Sequence, residues 1–284
     1  MRFEKKNSIK DEIYWYDFCD KSKCDFQNIE DCKPMISIVI PVFNQESYLS
    51  QTIKTLQQQT YSNWEAICVD DASTDKSLEI LRSINDSRIK VIQLSKNVGV
   101  AECRNKGTCV AVGKYIAFLD ADDLWKPEKL EHQLEFMQKN GYAFSFTDYE
   151  FADYFGNGTG KKTSIPQEMT YQRALGNTTI FTSTVMFDRS QIPRELLLMP
   201  KIESEDTATW WRILKAGFVA YGLQENLTYY RRPARKHGVS TMSSNKVKAL
   251  KRIWRLYRNQ EQLSFVLSCW YFSQYAVHAV MRRI

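Results

Sequence analysis

The stretch Ile36-Ser37-Ile38-Val39-Ile40-Pro41-Val42 restricts the fold more than any other part of the chain, because it is a nearly unbroken apolar, β-branched run of strand length. A strand reads this way when both of its faces are covered, the situation inside a parallel sheet flanked by helices. Similar runs recur over residues 64–69, 89–94 and 115–119, and helical patterns over 48–58, 75–84 and 100–112 separate them. Strand and helix alternating at this spacing predict βαβ units, and hence an α/β domain with a mostly parallel, Rossmann-like sheet between helical layers. Farther on, the pattern predicts a helix from beyond Pro127 to Lys139 and strand character over 142–155, closed by the turn-like Gly156-Asn157-Gly158-Thr159-Gly160. A strand is expected over 180–187, and a helix over 205–216 with Ser204 as N-cap and Gly217 just past its end.

In a parallel sheet, ligands bind beyond the carboxyl ends of the strands. Each predicted strand end here carries polar residues: Asn44-Gln45-Glu46 after the first, Asp70-Asp71 after the second, Lys96-Asn97-Val98-Gly99 after the third and Asp120-Ala121-Asp122-Asp123 after the fourth. The D-x-D spacing in an extended loop lets Asp120 and Asp122 face one side. Paired carboxylates beside a diphosphate make electrostatic sense only with a hard divalent cation between them. Taken alone, D-x-D also describes an ordinary solvated turn. Asp70-Asp71 reads equally well as a turn before a helix capped by Ser73 or Thr74, or as a site where Asp71 accepts an N–H from a nucleotide base.

Taken together, Ile38-Val39-Ile40-Pro41-Val42-Phe43-Asn44, Val69-Asp70-Asp71-Ala72-Ser73-Thr74-Asp75, Asn97-Val98-Gly99 with Arg104-Asn105, Phe118-Leu119-Asp120-Ala121-Asp122-Asp123 and Glu205-Asp206 resemble glycosyltransferase family 2. The resemblance spans residues 35–235 and implies the GT-A fold and an inverting transfer from a nucleotide-sugar, with UDP as the expected nucleotide. Carried over by position, it sets Pro41 and Glu46 beside the nucleoside, Asp71 on the base, and Lys96 and Arg104 near the uridine and diphosphate. Asp120 and Asp122 would hold ribose and a Mn²⁺ or Mg²⁺ ion, Asp122 more directly. Relatives commonly have two acids where this chain has Gln45-Glu46.

Glu205-Asp206 resembles the acidic pair that supplies the catalytic base, with Asp206 taking the acceptor's proton and Glu205 supporting it. The bland alternative is acids stabilised at a helix start. His237, in a basic stretch similar to the family's lid, is a candidate metal or phosphate ligand or a solvated histidine. Arg231, Arg232 and Arg235 are candidate phosphate clamps. Trp210 and Trp211 offer indoles on which an acceptor sugar would stack, the alternative being core packing.

Composition adds boundaries. Hydrophobic residues at 43% and charged residues at 25% allow a buried core and argue against global disorder. Seven cysteines, an odd number without a C-x-x-C pair, favour a reducing cytoplasm over disulfides or zinc. The polar N-terminus lacks a signal-peptide core. Charge is asymmetric: residues 226–284 hold 12 basic residues and one acid, leaving 27 basic against 32 acidic residues in 1–225. Three regions follow: an N-terminal extension over 1–34, a catalytic domain over 35–240 and a basic, aromatic helical tail over 241–284.

In that tail, Leu250, Ile253, Trp254 and Tyr257 form an apolar stripe among lysines and arginines. The stripe predicts an amphipathic segment on an anionic membrane, at the inner face of the cell membrane, where an enzyme with a sugar or lipid-linked sugar acceptor would work. Packing on the catalytic domain is the alternative, and the 263–281 stretch is too polar to span a bilayer.

Competing functions fit less well. A nucleotidyltransferase would want a glycine-rich loop after the first strand, and Pro41 to Glu46 has no glycine. The Gly156–Lys162 stretch lacks the first glycine and the hydroxyl of a phosphate loop. A non-catalytic membrane- or nucleic-acid-binding module would leave the acidic clusters unexplained, because carboxylates repel phosphate backbones. No nucleic-acid partner is expected.

Overall fold

The computed structural model describes residues 34–232 and 246–281, so most of the N-terminal extension, with Cys19, Cys24 and Cys32, lies outside it, as do Arg235 and His237. The first half follows the predicted alternation: β1 (Ile36–Val42), α1 (Leu49–Gln57), β2 (Trp64–Asp70), α2 (Ser77–Arg82), β3 (Ile89–Gln93), α3 (Val100–Val110) and β4 (Tyr115–Phe118). These strands lie in the order β3-β2-β1-β4, with every pairing parallel.

Side-chain alternation along β1 feeds two cores. Ile36, Ile38, Ile40 and Val42 pack with Leu49, Ile53 and Leu56 of α1, whereas Val39 points to the opposite layer with Ala101 and Cys103 of α3. Helix α3 comes so close to β1 that a Cβ on Gly107 would sit 2.4 Å from Val39 Cγ1, so only glycine fits there. Cys68 in β2 behaves as a core hydrophobe, its thiol pushed up to about 12 by burial.

The second half extends the same sheet with mixed pairing. It comprises β5 (Leu124–Trp125), α4 (Lys129–Asn140), β6 (Phe144–Ala152), β7 (Gly158–Thr163), β8 (Glu168–Met169), α5 (Tyr171–Gly176), β9 (Met186–Asp188), α6 (Arg194–Leu197), α7 (Glu205–Lys215) and β10 (Ala220–Arg231). Strand β9 joins the halves by pairing antiparallel with both β4 and β6, and β10 runs parallel to β6. The strand expected over 180–187 is only β9; before it, Thr182–Thr184 forms a 3₁₀ turn whose three hydroxyl side chains are buried. Strand β10 was not anticipated, because its buried and exposed residues break alternation at two register shifts opposite β6.

The C-terminal helices α8 (Lys246–Arg255) and α9 (Phe265–Met281), joined by a π-helical turn over Leu256–Gln260, pack on the α7 side of the domain. Ile253, Leu256 and Tyr257 are buried in the main core, and the Tyr257 ring stacks on Trp211 with centroids 5.4 Å apart. The stripe expected to lie on a membrane is therefore corrected: Ile253 and Tyr257 spend their apolar surface on the domain itself. What α9 leaves exposed is a different set, Phe265, Val266, Leu267, Trp270 and Val277. Among the described residues no helix is long and apolar enough to cross a membrane.

Candidate active site

The carboxyl edge of β1 and β2 is a pair of interlocked loops. Asn44 N–H donates to Ser73 Oγ (3.1 Å) and Asn44 Oδ1 accepts from Thr74 N–H (2.8 Å). Two residues on, Glu46 N–H donates to Asp75 Oδ2 (2.9 Å) and Glu46 Oε2 accepts from Lys76 N–H (3.0 Å). Asn44 and Ala72 hold left-handed backbone, φ 52° and 58°. Asparagine tolerates this and alanine does not, so the stitch between the loops must hold Ala72 in place. Asp71 is buried, and its two carboxylate oxygens accept from the backbone N–H of Val98 (2.7 Å) and Gly99 (2.9 Å), which fixes the loop after β3. Lys96 lies exposed on that loop, and Pro41 is half-buried near the end of β1.

One guanidinium gathers the acids of the site. Arg104, with 5% of its side chain exposed, donates from Nη2 to Asp120 Oδ1 (2.6 Å) and from Nη1 to Glu205 Oε1 (2.8 Å). Its partners lie 85 residues apart in sequence, one on the loop after β4 and the other at the start of α7. Charge from Asp206 also bears on Arg104. The D-x-D loop and the Glu205-Asp206 pair thus converge on a single rim. Burial, then the neighbouring Asp206, hold Glu205 above the usual carboxylate range, with Arg104 opposing both. Ser204 occupies the N-cap position of α7 as expected, but its backbone is left-handed (φ 61°) and its side chain makes no capping bond.

The 3₁₀ turn between α5 and β9 ties the two acidic groups together, and sequence reasoning missed it. Ser183 Oγ donates to Asp123 Oδ2 (2.6 Å) and accepts from Asp120 N–H (3.1 Å). Next to it, Thr182 Oγ1 donates to Asp206 Oδ2 (3.0 Å). Three hydroxyl residues in an otherwise apolar stretch, Thr182-Ser183-Thr184, were the available signal. Asp123 is buried, and burial followed by the charges of Asp122 and Asp120 keeps its carboxyl well above the ordinary value; its other oxygen accepts from Arg231 N–H (3.1 Å).

The Arg231 guanidinium is buried beside these acids, donating to Gln51 Oε1 (2.6 Å) and lying over the Tyr48 ring at 4.7 Å. Burial and then Asp120 push the Asp122 carboxyl up to about 6. Glu46 occupies another neighbourhood, an open cleft shared with Lys76 and Glu79. Trp210 and Trp211 are corrected: they are 2% and 1% exposed, Trp210 packed among Phe118, Phe144 and Phe187, so neither presents a face to a sugar.

The fit of a divalent metal can be judged from the donor set. Among the described residues no group of three or more His, Cys, Asp or Glu could hold an ion alone. Asp120 and Asp122 nevertheless offer two carboxylates on one loop, and the like-charge pressure of Asp120 on Asp122 is what a cation would relieve. This suits Mg²⁺ or Mn²⁺ held by one or two carboxylates and completed by diphosphate oxygens and water.

Comparison with known proteins decides the family, since the family model described as "Glycosyl transferase family 2" matches residues 37–192. The chain belongs to glycosyl transferase family 2. As a family 2 member it is a glycosyltransferase, and its sheet with flanking helices is the GT-A fold. It is 43% identical over 255 residues, 89% of this chain and 98% of the other, to the putative teichuronic acid biosynthesis glycosyltransferase TuaG of Bacillus subtilis. It is 36% identical to the Escherichia coli UDP-Glc:alpha-D-GlcNAc-diphosphoundecaprenol beta-1,3-glucosyltransferase WfgD, covering 78% of this chain and 84% of that one. Among solved structures, Staphylococcus aureus TarS 1–349 in complex with UDP-GlcNAc superposes with a TM-score of 0.64 at 20% identity, covering 85% of this chain and 71% of that one. The mannosyltransferase PcManGT of Pyrobaculum calidifontis, in complex with GDP-Man and Mn²⁺, superposes with a TM-score of 0.62 at 14% identity, over 88% of this chain and 75% of that one. At these identities the two structures speak to the fold.

Proposed function

We propose that this family 2 enzyme is an inverting, metal-dependent transferase that moves a hexose or N-acetylhexosamine from a UDP-sugar to an acceptor hydroxyl in bacterial surface polysaccharide or glycolipid assembly. The observation that carries the reading is the Arg104 bridge, which ties the D-x-D acids and the Glu205-Asp206 pair to one guanidinium. The names of relatives supply the rest: TuaG is assigned to teichuronic acid biosynthesis, and WfgD takes UDP-Glc and a lipid-diphosphate-linked GlcNAc.

In this reading the Asp206 carboxylate, oriented by Thr182, takes the proton of the acceptor hydroxyl as its oxygen bonds to the anomeric carbon. The bond from that carbon to the diphosphate oxygen breaks on the opposite face, and the nucleoside diphosphate leaves with the electron pair. Glu205 and Arg104 keep the base and the donor-side acids in register. A divalent ion held by Asp122 and Asp120 would supply neutralisation of charge on the departing diphosphate. Arg231 adds positive charge beside Asp122. The reading assigns Pro41, Glu46, Asp71 and Lys96, which lie at or after the ends of β1, β2 and β3, to the nucleoside.

The acceptor is a sugar or lipid-linked sugar, and the exposed face of α9 is the part of the C-terminal region suited to an anionic membrane, on the cytoplasmic side. The test is Asp206→Asn. Donor binding, measured by calorimetry with UDP and Mn²⁺, should be retained while transfer falls by about 10²- to 10⁴-fold; unchanged turnover would remove Asp206 from its role. In the same assay Asp122→Ala should abolish metal-stimulated UDP binding.

A further inference from the structure

Asp206 lines a cleft of about 470 Å³, and the C-terminal helices line it too, through Ala249 of α8 and Tyr275 and Ala279 of α9. These helices are fixed relative to the base. Tyr257, in the turn between them, stacks on Trp211 of α7, the helix that carries Asp206, and its hydroxyl donates to Leu175 O. Glu261 accepts from the Tyr171 hydroxyl and from Lys215 Nζ (2.9 Å), which joins the start of the next segment to α5 and α7. Gln274 of α9 packs so closely on Gly176 that a Cβ there would stand 2.5 Å from Gln274 Oε1. Thr178 and Thr179 follow that contact in the chain and line the same cleft as Asp206.

Thr179 differs from the other hydroxyl residues around the base. It is 3% exposed, and its Oγ1 is buried with no hydrogen-bond partner among the described residues. The others are committed: Thr182 Oγ1 and Thr207 Oγ1 donate to Asp206 (3.0 and 3.3 Å), and Thr159 Oγ1 donates to Phe151 O (2.8 Å). A buried, unpaired hydroxyl is a cost to folding that valine, of nearly the same shape, would remove. Such a group makes physical sense where a ligand completes it, and one step about χ1 exchanges its methyl and hydroxyl positions. Arg232 closes part of the cleft by lying over Phe151 (4.7 Å) and Tyr230 (4.8 Å), so those rings are already covered. On the side of the C-terminal helices the lining is small, and a longer side chain at Ala249 or Ala279 would take up the space.

We infer that Thr179 and the α8–α9 wall form the acceptor-sugar subsite: the Thr179 hydroxyl hydrogen-bonds to a hydroxyl or ring oxygen of the sugar, and Ala249 and Ala279 give the sugar room. This rests on the reading of Asp206 as the base, which marks the cleft as the acceptor side. Acceptor choice then depends in part on residues beyond 37–192, the segment matched to the family.

Equilibrium binding to the full chain tests this without depending on turnover. The probes are octyl glucoside and octyl N-acetylglucosaminide, titrated by calorimetry with UDP and Mn²⁺ present. Thr179→Val should weaken the better probe by about 3- to 10-fold, the worth of one neutral hydrogen bond, while Thr179→Ser keeps most of the affinity. The melting temperature of Thr179→Val should equal or exceed that of the wild type, because no internal bond is lost. Ala249→Leu and, from the other helix, Ala279→Leu should each lose at least tenfold, and UDP affinity should be unchanged in all four variants. Absence of probe binding in the wild type, full affinity in Thr179→Val or in both leucine variants, or a lower melting temperature in Thr179→Val would overturn the inference. Failure of the base assignment is read separately, from turnover of Asp206→Asn.

Discussion

Thr182 Oγ1 donates a 3.0 Å hydrogen bond to Asp206 Oδ2, while Asp206 Oδ1 accepts from Thr207 N–H at 2.6 Å. The carboxylate is thereby fixed from two sides, one local to α7 and one from a turn 24 residues earlier. Thr182 does not itself meet the reacting atoms in this scheme; it positions the base. Thr182→Val should lower kcat by about 10- to 100-fold, the scale of a small misplacement of a reacting group. The Michaelis constant for the donor should hold, and Thr182→Ser should recover most of the rate. A loss shared equally between kcat and donor binding would show a structural effect instead.

Arg104 offers a stability test. It is buried between Asp120 and Glu205, so replacing it with methionine fills the space but leaves both carboxylates without their cation, one of them the buried Glu205. The expected cost is about 3–5 kcal/mol, the range for breaking a buried ion pair from one side. Urea unfolding should show it, and Arg104→Met with Glu205→Gln should be less destabilised than Arg104→Met alone, because one of the stranded charges is gone.

In the proposed scheme Asp122 links pH to the metal. Its carboxyl is raised from 3.8 to about 6 by burial and Asp120, so the folded protein holds this proton more tightly than the unfolded chain does. The sign follows: the group favours folding below its unfolded value, and that advantage is lost as pH rises from 3.8 towards 6, leaving a cost above that window. Asp122→Asn should therefore melt at or above the wild-type temperature at pH 7.5 in the absence of metal, and the difference should vanish near pH 4. Metal needs the ionised form, so the affinity for UDP with Mn²⁺ should fall about tenfold per pH unit below 6 in the wild type. A pH-independent affinity between 5 and 7 would disconnect Asp122 from the ion.

The C-terminal helices change how membrane association has to be tested. Removing everything after Asn245 would delete Ile253, Leu256 and Tyr257 from the core, and such a protein should aggregate or unfold whatever its affinity for lipid. Trp270→Glu and Val266→Glu, at positions 61% and 75% exposed, should leave the melting temperature nearly unchanged. The expected result is weaker sedimentation with anionic liposomes at low salt; equal partitioning of wild type and both variants would count against α9 as the contact.

The first half of the fold was legible because β1, β2 and β4 are buried on both faces and the helices fall at βα spacing, so the apolar run from Ile36 to Val42 reports its own environment. Strand β10 was hidden because a long strand with two bulges does not alternate, and the expected strand before β9 failed because Thr182-Ser183-Thr184 fold into a turn that satisfies acids elsewhere. In the site, the D-x-D and Glu205-Asp206 clusters could be read as local patterns. Their union through Arg104 could not, because it depends on contacts between residues far apart in sequence. Trp210 and Trp211 could be read either way, since an indole one helical turn past an acidic pair can stack on a sugar but more often packs in a core.

The stitching of Asn44 and Glu46 to Ser73, Thr74, Asp75 and Lys76 has a consequence for engineering. Two segments that meet through these reciprocal bonds cannot be reshaped one at a time: a transplant of either loop alone from a relative with other nucleotide preferences would leave half of each pairing without its counterpart. If these turns hold the nucleoside as proposed, base selectivity is inherited as a matched set, and a chimera should carry both turns or neither.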